Sequence, residues 1–188
     1  HNINGGSLRW NYYAPNTRHF VDIYTSVQGI GRDSYYGTGK DPNAYGRTED
    51  VTIVAGAQYS YVFNKCLFMP AQFTVGFEYT YNDLDDHSIG FDRSIQQTVR
   101  TAGLFVQNEW KSDKVNFVIG GRFDKHNMMD NIIFSPRANL RYSPHENVGL
   151  RVSYSSGYRA PQAFDEDLHI DAVNNQSSII QLDPNLKP

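Results

Sequence analysis

The stretch Ala71-Gln72-Phe73-Thr74-Val75-Gly76-Phe77-Glu78-Tyr79-Thr80-Tyr81-Asn82 decides the fold. Its odd positions carry Phe73, Val75, Phe77, Tyr79 and Tyr81, and its even positions carry Gln72, Thr74, Gly76, Glu78, Thr80 and Asn82. Side chains alternate across a strand, so one face suits hydrocarbon and the other suits water. A strand of a closed barrel crosses a bilayer in about 9–11 such residues, with aromatic side chains at the interfaces.

The same period recurs along the chain. Leu8, Trp10 and Tyr12 oppose Arg9 and Asn11. Val21, Ile23, Thr25 and Val27 oppose Asp22, Ser26 and Gln28, with Phe20 and Tyr24 breaking the polar side. Val51, Ile53, Ala55, Ala57, Tyr59, Tyr61 and Phe63 form the next apolar register. Further on come Ala102 to Trp110, with Phe105 inward as an exception, then Val115 to Phe123, Phe134 to Tyr142 and Val148 to Tyr154. Short turns at Ala14–Asn16, Asn64–Pro70, Ser112–Lys114 and Ser143–Glu146 alternate with mostly longer polar segments, 35–49, 83–97 and 126–131. Short turns on one side and long loops on the other mark an outer-membrane barrel. The apolar register also predicts aromatic girdles, with Trp10, Tyr12, Tyr59, Tyr61, Phe63, Trp110 and Tyr142 at one interface. Tyr79, Tyr81, Phe123 and Tyr154 belong at the other. Its only charges, Arg100 and Lys125, fall at outer ends, where they cost least.

Composition narrows the function. A net charge of −3 over 188 residues, with Lys and Arg scattered, argues against nucleic acid as a partner. Cys66 is the only cysteine, which rules out an internal disulfide and a multi-cysteine metal site. No run of 18 apolar residues exists, and the mean hydropathy of −0.56 averages a lipid face with a wet one. The opening His1-Asn2-Ile3-Asn4 lacks the ordered regions of a signal peptide. Gly37-Thr38-Gly39-Lys40-Asp41 departs from a phosphate loop at Ser34 and Asp41. No serine, histidine and carboxylate set has spacing that supports nucleophilic catalysis, so an enzyme is not expected.

Several segments resemble TonB-dependent outer-membrane receptors. They are Phe105-Val106-Gln107-Asn108-Glu109-Trp110, Gly121-Arg122-Phe123-Asp124, Ser135-Pro136-Arg137-Ala138-Asn139-Leu140, Ser155-Ser156-Gly157-Tyr158-Arg159-Ala160-Pro161 and Asp183-Pro184-Asn185-Leu186-Lys187-Pro188. The match runs in order over 100–188, while the first hundred residues match in pattern. The resemblance implies an all-β, antiparallel up-and-down transmembrane β-barrel, of which 1–188 supplies about eight of roughly 22 strands around a plug. Signal, plug and final strands are then expected elsewhere in a longer polypeptide. A complete eight-stranded barrel is the rival reading.

The function so implied is TonB-energised uptake of a siderophore, haem, cobalamin or similar nutrient. The location is the outer membrane of a Gram-negative bacterium, among lipid and lipopolysaccharide, with the receptor's own plug and the TonB complex as partners. A passive porin or structural barrel, and a soluble β-rich binding module, remain the other classes. Candidate ligand contacts are Tyr35, Tyr36, Tyr158, Arg159 and His169; the resemblance to haem receptors of the family implies a haem-iron ligand at the histidine between the two boxes, and a solvated loop histidine is the default reading. The lumen register carries Arg122, Asp124, Arg137, Arg141 and Arg151, together with Arg9, Asp22, Glu78 and Glu109. Such charges would hold a plug or guide an anion inward, or simply neutralise one another. No intrinsic cofactor is expected. Asp83, Asp85, Asp86 and His87, and separately Asp165, Glu166 and Asp167, offer oxygen ligands for loop-bound calcium, without a recognised calcium-loop spacing.

Overall fold

The computed structural model describes residues 1–35, 37, 41–160, 162, 171–173 and 176–178. Eight strands form one antiparallel sheet in sequence order: β1 (Asn2–Tyr13), β2 (His19–Tyr35), β3 (Tyr45–Cys66), β4 (Met69–Ser88), β5 (Arg93–Lys111), β6 (Val115–His126), β7 (Ile133–His145) and β8 (Val148–Ser155). A separate two-stranded ribbon, β9 (Asp171–Val173) with β10 (Gln176–Ser178), lies in the stretch expected to be loop. Among the described residues β1 and β8 do not pair, so the sheet is open at both edges.

The ladder gathers the alternating apolar residues of all eight strands on one face. Trp10, Ile23, Ala57, Phe77, Leu104, Phe123 and Phe134 are successive partners from β1 to β7. This face is not a water-excluding core. Phe77 is 48%, Leu104 51% and Leu150 58% exposed, and the buried hydrophobic residues described are few and scattered.

Two of the expected long loops are instead strand. β4 runs on to Ser88 and β5 begins at Arg93, leaving a short 3-10 turn, Ile89–Phe91, at the tip; β3 likewise begins at Tyr45. The reason is an inversion on the outward face, from apolar to polar. Up to Tyr81 the outward register of β4 is apolar and the inward one polar. Beyond it Asp83, Asp85 and His87 face outward, while the inward side packs Leu84, Val99 and Ile95 together with the buried Asp86, Ser88 and Gln97. A strand may continue into water once its polar face is the outer one. At ~3.3 Å per residue, the 20 residues of β4 reach ~65 Å, well past a hydrocarbon thickness of ~30 Å.

The rows of partners also climb. Along His19, Tyr61, Phe73, Asn108, Ile119, Ala138 and Tyr154, the distance to the nearest short turn grows from three residues, at Asn16, to eight, at Glu146. With ~3.3 Å along a strand and ~4.8 Å between strands, that is a tilt of ~30°, near the range a barrel needs. The expected girdles sort by distance from a turn. Tyr12, Phe63, Trp110 and Tyr142 lie within two residues of one, Tyr61, Trp10 and Tyr59 lie three to five residues away, and Tyr79, Tyr81, Phe123 and Tyr154 lie eight or more away. Parity reports which face a side chain takes but not its height.

At the turn rim Trp110 stacks between Phe68 and Phe117, with 5.5 Å to each ring centroid, and its Nε1–H donates to Cys66 O at 2.9 Å. At the opposite limit the Arg100 guanidinium lies 5.9 Å from the Tyr81 ring, and Lys125 Nζ donates to Met129 O and Asp130 O. Both cations of the apolar register thus leave the band.

A charge scan checks the boundary. Leu104→Arg is expected to destabilise the full-length barrel by about 2–4 kcal/mol in urea refolding with lipid vesicles, and Thr98→Arg, above the inversion, by less than about 1 kcal/mol. Equal effects would show that no lipid boundary lies between them.

Candidate functional site

The inward face is the wettable one, and its charges come in two groups. In β1 and β2 Arg9 forms a fork on Asp22, with Nε to Oδ1 at 2.8 Å and Nη2 to Oδ2 at 2.7 Å, while Asn11 Nδ2 donates to Oδ1. Asp22 is 1% exposed and fully engaged. Further across, Tyr24 Oη donates to Glu78 Oε2 at 2.5 Å, Arg122 Nη2 donates to Glu78 Oε1 at 3.0 Å, and Arg122 Nε donates to Asp124 Oδ1 at 2.7 Å. This chain of side chains ties β2, β4 and β6 together across the intervening strands.

Glycine makes the cross-strand reach possible. Gly56 is the ladder partner of both Tyr24 and Glu78, and a Cβ there would sit 2.4 Å from the Tyr24 ring. At Gly103, the partner of Asp124, a Cβ would meet Arg122 Nη2 at 2.3 Å and Asp124 Oδ1 at 2.5 Å. The inward Tyr24, an exception in the sequence pattern, is therefore a member of the network.

Arg122 and Asp124 are paired within the sheet. Arg137, Arg141 and Arg151 are exposed on the inward face and, among the described residues, make no side-chain hydrogen bond or ion pair. Arg137 joins Arg122, Gln58, Thr74, Phe105 and Gln107 around an open cleft of about 430 Å³. Tyr158, just past β8, comes within electrostatic reach of Asp124 and Arg122, while Arg159 is exposed. Tyr35 lies elsewhere, on the outward register at the end of β2, with its ring 4.8 Å from that of Tyr45. Tyr36 and His169 lie outside the described residues, as do Asp165 to Asp167 and Asp183 to Pro188. Asp83 accepts from Thr98, Asp85 pairs with His87, and Asp86 accepts from Thr48 and Arg93. These carboxylates do not converge, and no cluster suited to a metal occurs among the described residues.

One residue escaped the sequence reading. His126, taken as the start of a loop, is 2% exposed; its Nδ1 accepts from Met128 N–H at 3.1 Å, which leaves Nε2–H to donate to Gln162 Oε1 at 3.0 Å. It fastens the segment after β8 to the end of β6. Parity was the available signal, since His126 continues the inward register of Arg122 and Asp124.

Coupling within the network is measurable. Arg122→Met leaves Glu78 and Asp124 without their shared cation and is expected to cost about 1–3 kcal/mol, the residue being a third exposed. The triple variant Arg122→Met, Glu78→Gln, Asp124→Asn should unfold at a higher urea concentration than the single one; additive losses would show the three groups to be independent.

Comparison with known proteins agrees with this geometry. The family model described as TonB dependent receptor-like, beta-barrel, matches residues 1–188. The fold is similar to that of the siderophore receptor PirA from Pseudomonas aeruginosa, with a TM-score of 0.57 and 13% identity over 98% of this chain and 40% of that one. It is likewise similar to a chain in the structure of the FpvAI–pyocin S2 complex, with a TM-score of 0.57 and 12% identity over 81% of this chain and 25% of that one. The chain thus spans two fifths or less of the length of either. No curated protein matches the sequence significantly. A lipid-facing apolar band, a charged inward wall and a family match from end to end identify this chain as a β-barrel segment of the TonB-dependent receptor family, a family of receptors rather than enzymes.

Proposed function

We propose that this chain is part of the barrel wall of an active importer in the outer membrane of a Gram-negative bacterium. The importer takes up a siderophore, haem, cobalamin or similar nutrient with energy delivered through TonB. The observation that carries the reading is the band between the short turns and Tyr81. There apolar side chains point outward on every strand and charged ones inward, and at its upper edge the outward register of β4 and β5 turns polar. Lipid and lipopolysaccharide contact the outer face. The remaining strands, a plug and the segment that meets TonB come from a longer polypeptide of which 1–188 is a partial barrel domain.

In this reading the segments beyond the inversion capture cargo. Tyr35, Tyr36, Tyr158, Arg159 and His169 are its candidate contacts, and the inward charges around Arg122 and Asp124 line the path along the plug. An iron chelate is favoured as cargo by the likeness in fold to a receptor described as one for siderophores. The protein moves its cargo unchanged.

The test uses the full-length protein expressed in cells that lack their own iron receptors. Uptake of a radiolabelled ferric siderophore is expected with TonB present and to fall to background without it. Uptake that persists without TonB would make the protein a passive channel, and recovery as a detergent-free monomer would make it a soluble binding module.

A further inference from the structure

The chain that leaves β8 turns back over the inner wall. Ser156 N–H donates to Pro136 O on β7 at 3.0 Å, Tyr158 comes within electrostatic reach of Asp124 and Arg122 on β6, and Gln162 Oε1 accepts from His126 Nε2–H at 3.0 Å. Tyr158, Ala160 and Gln162 are half-buried, whereas Gly157 and Arg159 are exposed, so alternate residues of this strap lie on the wall. Ser156 also borders the cleft around Arg122 and Arg137. His126 is therefore the far fastening of a strap that starts at the edge of that cleft.

The fastening needs a neutral imidazole. A backbone N–H can only donate, so Met128 N–H, 3.1 Å from Nδ1, requires a lone pair there and leaves the ring proton on Nε2. A proton added at Nδ1 would set two donors face to face, at a residue only 2% exposed. The turn cannot yield to it. Asn127 is bound to β5 by its N–H on Arg100 O, its Oδ1 accepting from Arg100 N–H and its Nδ2 on Thr98 O, and Met129 N–H donates to His126 O. The ring must swing instead, and Nε2 leaves Gln162 with it. Among the described residues, the ionisable groups on the surrounding elements are Asp124 and Arg122 on β6, Lys125 and Asp130 beside the turn, Arg100 on β5, and Tyr158 and Arg159 on the strap. Arg100 and Lys125 face outward. Asp124 lies two residues down the inward register, so it is the carboxylate that an imidazolium turning off Gln162 would approach. We infer that His126 is a proton-operated latch: its neutral ring holds the strap against the inner wall, and its protonated ring releases it at the mouth of the cleft. The inference goes beyond the import reading and stands on these contacts whatever the cargo.

Hydrogen exchange read by mass spectrometry tests this in the full-length protein in lipid nanodiscs, at pH ~8 and ~5, a range over which imidazoles take up a proton. Labelling times are scaled to the intrinsic exchange rate at each pH. In the parent, peptides covering 127–129 and 156–162 should exchange several-fold faster at the lower pH, while those from the middle of β5 and β6 should not change. His126→Gln keeps a donor for Gln162 that does not titrate, and its strap should exchange at one rate at both pH values. Gln162→Ala removes the hold without touching the ring, and its strap should exchange at the fast rate at both. A parent strap that stays equally protected at the two pH values, a His126→Gln strap that still loosens in acid, or faster exchange spread through β5 and β6 would overturn the latch. None of these outcomes bears on the import reading, which the TonB-dependent uptake test decides by itself.

Discussion

Everything in this sheet follows from the need to satisfy backbone hydrogen bonds where no water can do it. Inside hydrocarbon each unpaired N–H or C=O costs several kcal/mol, so a strand can cross only as one member of a continuous ladder. The ladder here runs from β1 to β8, shifting register only next to the turns at Phe63–Cys66 and Tyr142–His145, and it forces a period of two on the side chains. That period sorts Phe77 and Leu104 outward and Glu78 and Gly103 inward. The same constraint bears on the two edges, β1 and β8, each of which presents a row of groups that a further strand would pair.

Once the backbone is satisfied, side chains meet a second requirement, because the two faces see different solvents at different heights. Within the band the outward residues are apolar and the inward ones polar. Above Tyr81 the outward register turns polar, and a hairpin of β4 and β5 continues around Leu84, Ile95 and Val99, with Asp86 and Ser88 buried on the same side. The cations at the limits follow the same logic, with Arg100 over the Tyr81 ring and Lys125 reaching loop carbonyls, each withdrawing its charge from the hydrocarbon.

Inside the wall, charge is managed in two ways. Arg9 with Asp22, and Arg122 with Glu78 and Asp124, are settled within the sheet, in a surface narrowed by Tyr24 lying over Gly56. Arg137, Arg141 and Arg151 stand exposed on the inward face, without a side-chain partner among the described residues.

Membership of the apolar face was legible in the sequence for nearly every residue, as were the eight strands and the four short turns, because a period of two is local and needs no knowledge of neighbours. The charges of the lumen register were legible as a list, and Arg122 and Asp124 stood out within it. Which acid meets which base was not. Glu78 joins Tyr24 and Arg122 across 54 and 44 residues of sequence, a match set by the register of four ladders. The tilt was illegible for the same reason, since the row that joins His19, Tyr61 and Tyr154 climbs from three residues above a turn to eight. The polar segments 83–97 and 35–49 read as loops because charge looks the same on an exposed strand as on a turn. By itself the sequence determined which side of the wall each residue occupies. Only the tertiary structure decided how high it stands and whom it meets, because tilt and register are properties of the assembled sheet.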